Sequence, residues 1–176
     1  MSETDRERQR ILQARAATLA LEPENREAEE ERIEIVEFLL ADERYAVEAA
    51  YIGEVYPLKD LTPLPCTPAF VLGIINMRGK ILSVIDLRTF FDLPNRGLSD
   101  LNKVIVLHDG TMEFGILADA VIAARRIPRA VLLPSLPTLT EIRAEYLIGV
   151  TADRLVLLDG GKILSGRHVV VHEEII

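Results

Sequence analysis

The amino-acid sequence predicts an all-β protein folded as small barrels, and three observations carry that prediction. Hydrophobic residues make up 49% of the 176 positions, yet aromatics are only 5% and tryptophan is absent, so the apolar mass is mostly Ile, Leu and Val. Branched aliphatics at that density favour pleated, half-buried surfaces. Those residues fall in short runs separated by turn residues, a strand count and spacing typical of barrels and not of a helix-covered parallel sheet. A pattern also recurs. Tyr45-Ala-Val-Glu-Ala-Ala-Tyr-Ile matches Phe114-Gly-Ile-Leu-Ala-Asp-Ala-Val in type, and in each half a later aliphatic strand ends in Asp and meets a short helix. The duplication predicts two barrels of about 60–70 residues, each marginal alone and therefore sharing apolar surface.

The elements follow in chain order. Residues 1–32 hold nine acids and six arginines, and composition changes to aliphatic runs from Ile33 onward. Thr4 and Glu7 have capping-box spacing, and Leu12, Ala16 and Leu19 share one helical face. Pro23 stops that helix, and the charged stretch to Arg32 is a solvated linker. The helix reads either as a tail that frays, since a short helix with one narrow stripe is marginal alone, or as a docking helix for a partner's groove. Ile33–Leu40 is a strand, Asp42-Glu43-Arg44 turns the chain, and Tyr45–Glu54 runs back. A turn of helix is expected near Pro68–Leu72. Gly73–Met77 and Lys80–Asp86 form a hairpin about Arg78-Gly79. Lys103–His108 and Met112–Leu117 form another about Asp109-Gly110, a strong hairpin signal. Leu147–Thr151 and Leu155–Asp159 form a further hairpin, with short helices at Leu87–Phe91 and Gly161–Leu164. Val169–Val171 is a last strand candidate. The expected organisation is a helix and linker over 1–32, one domain of two barrels over 33–166, and a strand or tail over 167–176.

Charge and cysteine content narrow the function. A net charge of −8 repels phosphate backbones, which argues against nucleic acid and anionic membranes as general partners. Cys66 is the only cysteine, so no intrachain disulfide is possible, in keeping with a reducing compartment. The charged N-terminus lacks the apolar region of a signal peptide, and no apolar run is long enough to span a bilayer. These features predict a cytoplasmic protein.

Catalytic chemistry finds no local support. Cys66 lies in the rigid Pro65-Cys-Thr-Pro68 loop without a neighbouring base or cation to make thiolate. An Asp86–His108–Cys66 triad would need distant groups to meet. His168 and His172 have i, i+4 spacing, but the intervening Val169-Val-Val171 favours a strand, which puts them about 13 Å apart, too far for one ion. Gly160-Gly161-Lys162 lacks the remaining residues of a phosphate-binding loop. Arg125, Arg126 and Arg129 read as a solvated strand end. No catalytic residue, metal site or cofactor is expected.

The segment Thr67-Pro-Ala-Phe-Val-Leu-Gly-Ile-Ile-Asn-Met-Arg-Gly-Lys-Ile-Leu-Ser-Val-Ile-Asp-Leu-Arg88 closely resembles the signature of the CheW family of chemotaxis coupling proteins. Phe38-Leu-Leu-Ala-Asp-Glu-Arg-Tyr-Ala-Val resembles that family's opening hairpin. Lys103-Val-Ile-Val-Leu and Phe114-Gly-Ile-Leu-Ala-Asp resemble its middle strands, and Glu145-Tyr-Leu-Ile-Gly-Val a later one. The resemblance runs from about Ile33 to Leu164. Ser83 stands where the family usually has proline, and the N-terminal helix is extra.

The resemblance implies two SH3-like five-stranded β-barrels on a common core. It also implies a non-catalytic adaptor that bridges the cytoplasmic helical tip of chemoreceptors to the regulatory domain of a CheA-type histidine kinase, touching the membrane only through receptors. Arg78 matches a receptor-contact arginine, and Ile52 and Glu54 align with a strand that faces the receptor. From the residues themselves, Asn76 and Arg78 point outward while Ile75 and Met77 point inward. Gly79 supplies the permissive backbone of the turn, and Arg78 offers a planar donor fork to carboxylates or helix-end carbonyls. Receptor binding is thus expected at Ile52, Glu54, Asn76 and Arg78. The alternative is a barrel that binds a small ligand or second messenger.

Overall fold

A computed structural model describes residues 6–15, 31–134 and 141–166. Residues 6–15 form helix α1, on which Ile11 and Leu12 are exposed. The expected cap at Thr4, the rest of the stripe (Ala16, Leu19), Pro23, and the strand at Val169–Val171 lie outside the described residues.

Ten strands follow: β1 (Arg32–Leu40), β2 (Glu43–Glu48), β3 (Ile52–Pro57), β4 (Val71–Met77), β5 (Lys80–Ile85), β6 (Lys103–His108), β7 (Glu113–Ala118), β8 (Ala120–Pro128), β9 (Leu147–Val150) and β10 (Val156–Leu158). Short helices α2 (Leu87–Phe90), α3 (Glu141–Glu145) and α4 (Gly160–Ser165) complete them. The strands make two five-stranded sheets, ordered β8-β1-β2-β10-β9 and β3-β6-β7-β5-β4. In each sheet the segment leaving one edge strand reaches the other edge. Thr62, beyond β3, bridges Ile74 on β4, and Leu133, beyond β8, bridges Val150 on β9, each through two backbone hydrogen bonds of 2.9 Å.

The two sheets correspond strand for strand. Val47 lies beside Leu158 in a parallel pair, and the next residue, Asp159, caps α4 by accepting from the Lys162 N–H. Ile116 lies beside Ile85, and Asp86 next to it caps α2 by accepting from the Arg88 N–H. Tyr45 and Phe114 each stand two residues before those strand partners, so the match read between them in sequence is a match of position. The repeats, however, are not the sheets. β1 and β2 join β8–β10 in one sheet, while β3–β5 join β6 and β7 in the other. Each sheet draws a hairpin from one repeat and three strands from the other.

This exchange corrects the reading of Tyr45–Glu54 as one strand. The chain leaves the first sheet after Glu48, makes a 3-10 turn at Ala49–Tyr51, and enters the second sheet at Ile52. The turn sets the Tyr51 side chain on α4, where a Cβ at Gly160 would stand 2.8 Å from a ring carbon and one at Gly161 3.0 Å from the hydroxyl. The glycine pair thus provides a seat for an aromatic ring. Pro68–Leu72 is not helical either: the Val71 N–H donates to the Pro68 carbonyl at 3.0 Å, closing a β-turn that feeds directly into β4. Of strand β8 only the basic end near Arg125 and Arg126 was expected, and helix α3 was not. β8 has no clean alternation, and Ala123 to Arg126 are all exposed. Pairing with β1 along nearly its whole length holds it extended.

The core follows from strands buried on both faces, which read as continuous apolar runs. Along β6, Val104 and Val106 face a cluster with Ile75, Met77, Leu82 and Val84 inside the second sheet. Ile105 and Leu107 face the opposite way, into a larger cluster with Phe38, Leu40, Tyr45, Val47, Phe114 and Leu158. That larger cluster draws on both sheets and is the shared core expected of two marginal units. Ile33, Ile35, Ala46, Ile127, Leu155 and Leu157 fill the first sheet.

Candidate functional site

The β4–β5 hairpin closes through a two-residue turn in which Arg78 has φ 53° and Gly79 φ 85°. Both positive angles match the twist of the flanking strands. Gly79 therefore occupies the permissive position expected of it, and Arg78 occupies a second one that a side chain adopts only at a cost. Asn76 holds the turn from below: its Oδ1 accepts from the Gly79 N–H at 2.8 Å. Ile75 and Met77 are buried and Asn76 and Arg78 exposed, as the alternation predicted.

The Arg78 side chain is 74% exposed and reaches the edge strand β3. Its Nη2 donates to Glu54 Oε1 at 2.9 Å, and Nη1 lies 3.4 Å from Oε2. A fork held on both oxygens keeps a long side chain in one orientation. Ile52 is half-buried against the shared core and Glu54 is partly exposed. Between them Gly53 forms a β-bulge: Ile52 pairs with Leu107 and Glu54 with Val106. Bulges re-aim side chains at sheet edges, and this one precedes the carboxylate that holds Arg78. The structure thus joins Arg78 to Glu54 and Asn76 to Gly79 at one hairpin tip, with Ile52 on the core side of the bulge.

Neighbouring charges escaped the sequence reading. Lys80, the first residue of β5, pairs with Glu113 at the start of β7. His108, weighed only as part of a triad, packs on the bulge instead, with its Cδ2 2.9 Å from where a Gly53 Cβ would stand. Asp86 uses both oxygens on Arg88, so the triad with Cys66 does not form. Asp109 accepts from the backbone N–H groups of Met112 and Thr111, which lowers its carboxyl below the usual range and fixes the β6–β7 turn. Pairing across a rim leaves no trace in local spacing, because Arg78 reaches Glu54 and Lys80 reaches Glu113 only after the β4–β5 and β6–β7 hairpins join β3 in one sheet.

Arg88 shows what a buried arginine does in this fold. It is 1% exposed. Its Nε and Nη2 donate to Asp86, and its Nη1 donates to Asp119 Oδ1 at 2.9 Å and to the Gly97 carbonyl at 3.1 Å. Asp119 also accepts from the Ala41 N–H at 2.7 Å, across to the β1–β2 turn of the other sheet. Arg88 holds the molecule together, whereas Arg78 is displayed. Arg125 and Arg44 both pair with the buried Glu37, so part of the basic cluster at 125–129 is structural. No helix among the described residues is long and apolar enough to cross a membrane.

Two packed β-sheets that display a braced arginine at a hairpin tip define a binding scaffold. The chain matches the CheW-like domain over residues 34–168 and belongs to that family. It is 28% identical to a chemotaxis protein CheW of Treponema pallidum over 147 residues, covering 80% of this chain and 86% of that one. It is 36% identical over 113 residues to the protein FrzA of Myxococcus xanthus, covering 64% and 70%. The crystal structure of the scaffolding protein TtCheW from Thermoanaerobacter tengcongensis superposes with a TM-score of 0.64 at 33% identity, covering 72% of this chain and 83% of that one.

Proposed function

We propose that this protein is a chemotaxis adaptor that couples the helical tips of chemoreceptors to the regulatory domain of a CheA-type histidine kinase in the cytoplasm. It works by binding and leaves the chemistry to the kinase. Its relatives named for chemotaxis and scaffolding support the adaptor role.

The observation that carries the reading is the display of Arg78, 74% exposed at the hairpin tip and held by Glu54. A non-glycine residue at φ 53° is strained by about 1 kcal/mol or more, and asparagine or glycine would suit the turn better. The exposed ion pair to Glu54 returns at most about 1 kcal/mol. The two terms roughly offset, so fold stability does not favour arginine at this turn, and the displayed donors are what docking would use. Two donors face Glu54, and the guanidinium has five, so a helix bringing a carboxylate or its end carbonyls finds an oriented fork. In this reading Ile52 and Glu54 meet the receptor beside Arg78, and Asn76 joins them while holding the turn.

Co-purification with a receptor signalling tip and with a kinase regulatory domain, each scored alone, tests the proposal. Arg78→Glu should abolish receptor binding while thermal unfolding stays within about 1 kcal/mol of wild type. Arg78→Gly should also lose the receptor and unfold at the same or a higher temperature. Loss of the fold in either variant would make Arg78 a structural residue, and full retention of receptor binding would remove it from the docking surface.

A further inference from the structure

The correspondence between the two sheets extends to their edges. β8 stands at the edge of the first sheet beside β1, as β3 stands at the edge of the second beside β6. Tyr45 faces Phe38 across β1–β2, and Phe114 faces Leu107 across β6–β7. At those two positions each edge strand slips by one residue. Gly53 stands out between the pairs Ile52↔Leu107 and Glu54↔Val106, and Ile122 stands out between Val121↔Phe38 and Ala123↔Glu37. The same bulge marks both edges, but what lies over them differs. In the second sheet the β4–β5 hairpin runs on through residues 75–82 beyond the pair Ile74↔Ser83, and its Arg78 reaches Glu54 on β3. In the first sheet the equivalent hairpin runs on only through residues 151–155 beyond Val150↔Val156, and its Asp153 is taken by Arg44. No hydrogen bond or ion pair joins that turn to β8 among the described residues. Ile122 is 49% exposed, and Ala123 to Arg126 are exposed after it.

We propose that the outer edge of β8 is a docking surface of its own, and that it takes an acidic, extended segment of another protein as a sixth strand of the first sheet. An edge strand presents a row of unpaired N–H and C=O groups, and strand addition uses that row for affinity and the neighbouring side chains for specificity. β8 offers nine residues of it. Ala123 and Ala124 let a backbone approach closely, and Ile122 offers an apolar contact at the bulge. Charge selects the partner. Arg125 is tied to the buried Glu37. Arg126 and Arg129 are exposed and make no ion pair among the described residues, nor does Arg32, which faces Pro128 at the same end. The acids there are Glu34, opposite Arg126, and Glu31, whose carbonyl accepts from the Arg129 N–H at 2.9 Å. Three cations against two acids leave this end positive on a chain whose net charge is −8, and two of those cations stand on the open edge and just beyond it. The chain's own acidic stretch does not fill the edge: Glu31 still lies on the β1 side of the β1–β8 pair, away from the outer side of β8. This surface is independent of Arg78 and of the hairpin that carries it.

The test uses the full chain and two fluorescent peptides of about eight residues, one alternating glutamate with valine and the other lysine with valine. At about 3.4 Å per residue either can span most of β8 when extended. The acidic peptide should bind about tenfold tighter than the basic one at low ionic strength and weaken as salt is added. Its binding should slow amide hydrogen exchange along β8 and leave β3 unchanged. Arg126→Glu combined with Arg129→Glu should weaken it about three- to tenfold, whereas Arg78→Glu should bind it as wild type does. Replacing Glu22, Glu24, Glu27, Glu29 and Glu30 together with glutamine should leave the affinity unchanged. A gain in affinity there would assign the edge to the chain's own acidic stretch and overturn the proposal. Equal binding of the two peptides, no binding up to millimolar concentration, protection at β3 in place of β8, or full affinity in the double arginine variant would each overturn it as well.

Discussion

At the scale of single residues, two arginines from one contiguous motif have opposite fates. Arg78 is displayed at a turn, and Arg88 is enclosed between Asp86, Asp119 and the Gly97 carbonyl. Removing one partner from a buried ion pair strands the others, at about 3–5 kcal/mol. Arg88→Met should therefore lower the free energy of unfolding by about that amount in urea titrations, several times the effect of Arg78→Glu. A loss below about 1 kcal/mol would show that water or relaxed packing satisfies Asp86 without the arginine. The outward direction of Arg78 was legible, since alternation along β4 puts Ile75 and Met77 inward. The burial of Arg88 was not, because its second carboxylate, Asp119, is 31 residues away in the chain.

At the scale of elements, the turns of both hairpins in the first repeat carry strain at side-chain-bearing positions. In the β1–β2 turn Ala41 has φ 50° and Asp42 φ 69°, and Leu40 pairs with Glu43 around them. Asp42 is tied to Arg96 and the Ala41 N–H to Asp119, so the turn is clamped from the neighbouring loop and the other sheet. Glycine adopts this backbone freely and keeps the N–H. Ala41→Gly should raise the thermal midpoint, with a gain of up to about 1 kcal/mol after glycine's larger unfolded-state entropy is counted. A fall would show that the Ala41 methyl group, which packs beside the shared core, outweighs the backbone relief. Among the elements, β5, β6, β7 and the hairpins at 78–79 and 109–110 were legible because turn residues punctuate clear aliphatic runs. β8 was legible only at its basic end for the converse reason: it is an exposed edge whose side chains carry no period, and its strand character is conferred by β1.

At the scale of the whole molecule, exchange of strands between the repeats has a thermodynamic consequence. Neither sheet is complete without strands from both repeats, and the largest hydrophobic cluster is built from both sheets. The two lobes should unfold together. Amides of β2 and β7, central in different sheets, should show the same opening free energy in native-state hydrogen exchange, and heat should produce one transition. Two separated transitions would mean that the lobes are independent despite their shared core.

The chain of residues alone determined the β class, the paired positions of Tyr45 and Phe114, the hairpin that carries Arg78, and the family to which the molecule belongs. All of these are read from neighbours in sequence: the period of the strand, the residues of the turn, and a contiguous motif. Tertiary structure decided which repeat supplies which strand, which arginine is buried, and which charges meet around the rim. Those outcomes depend on contacts between segments tens of residues apart, whose free energies exist only once the sheets have curled and packed.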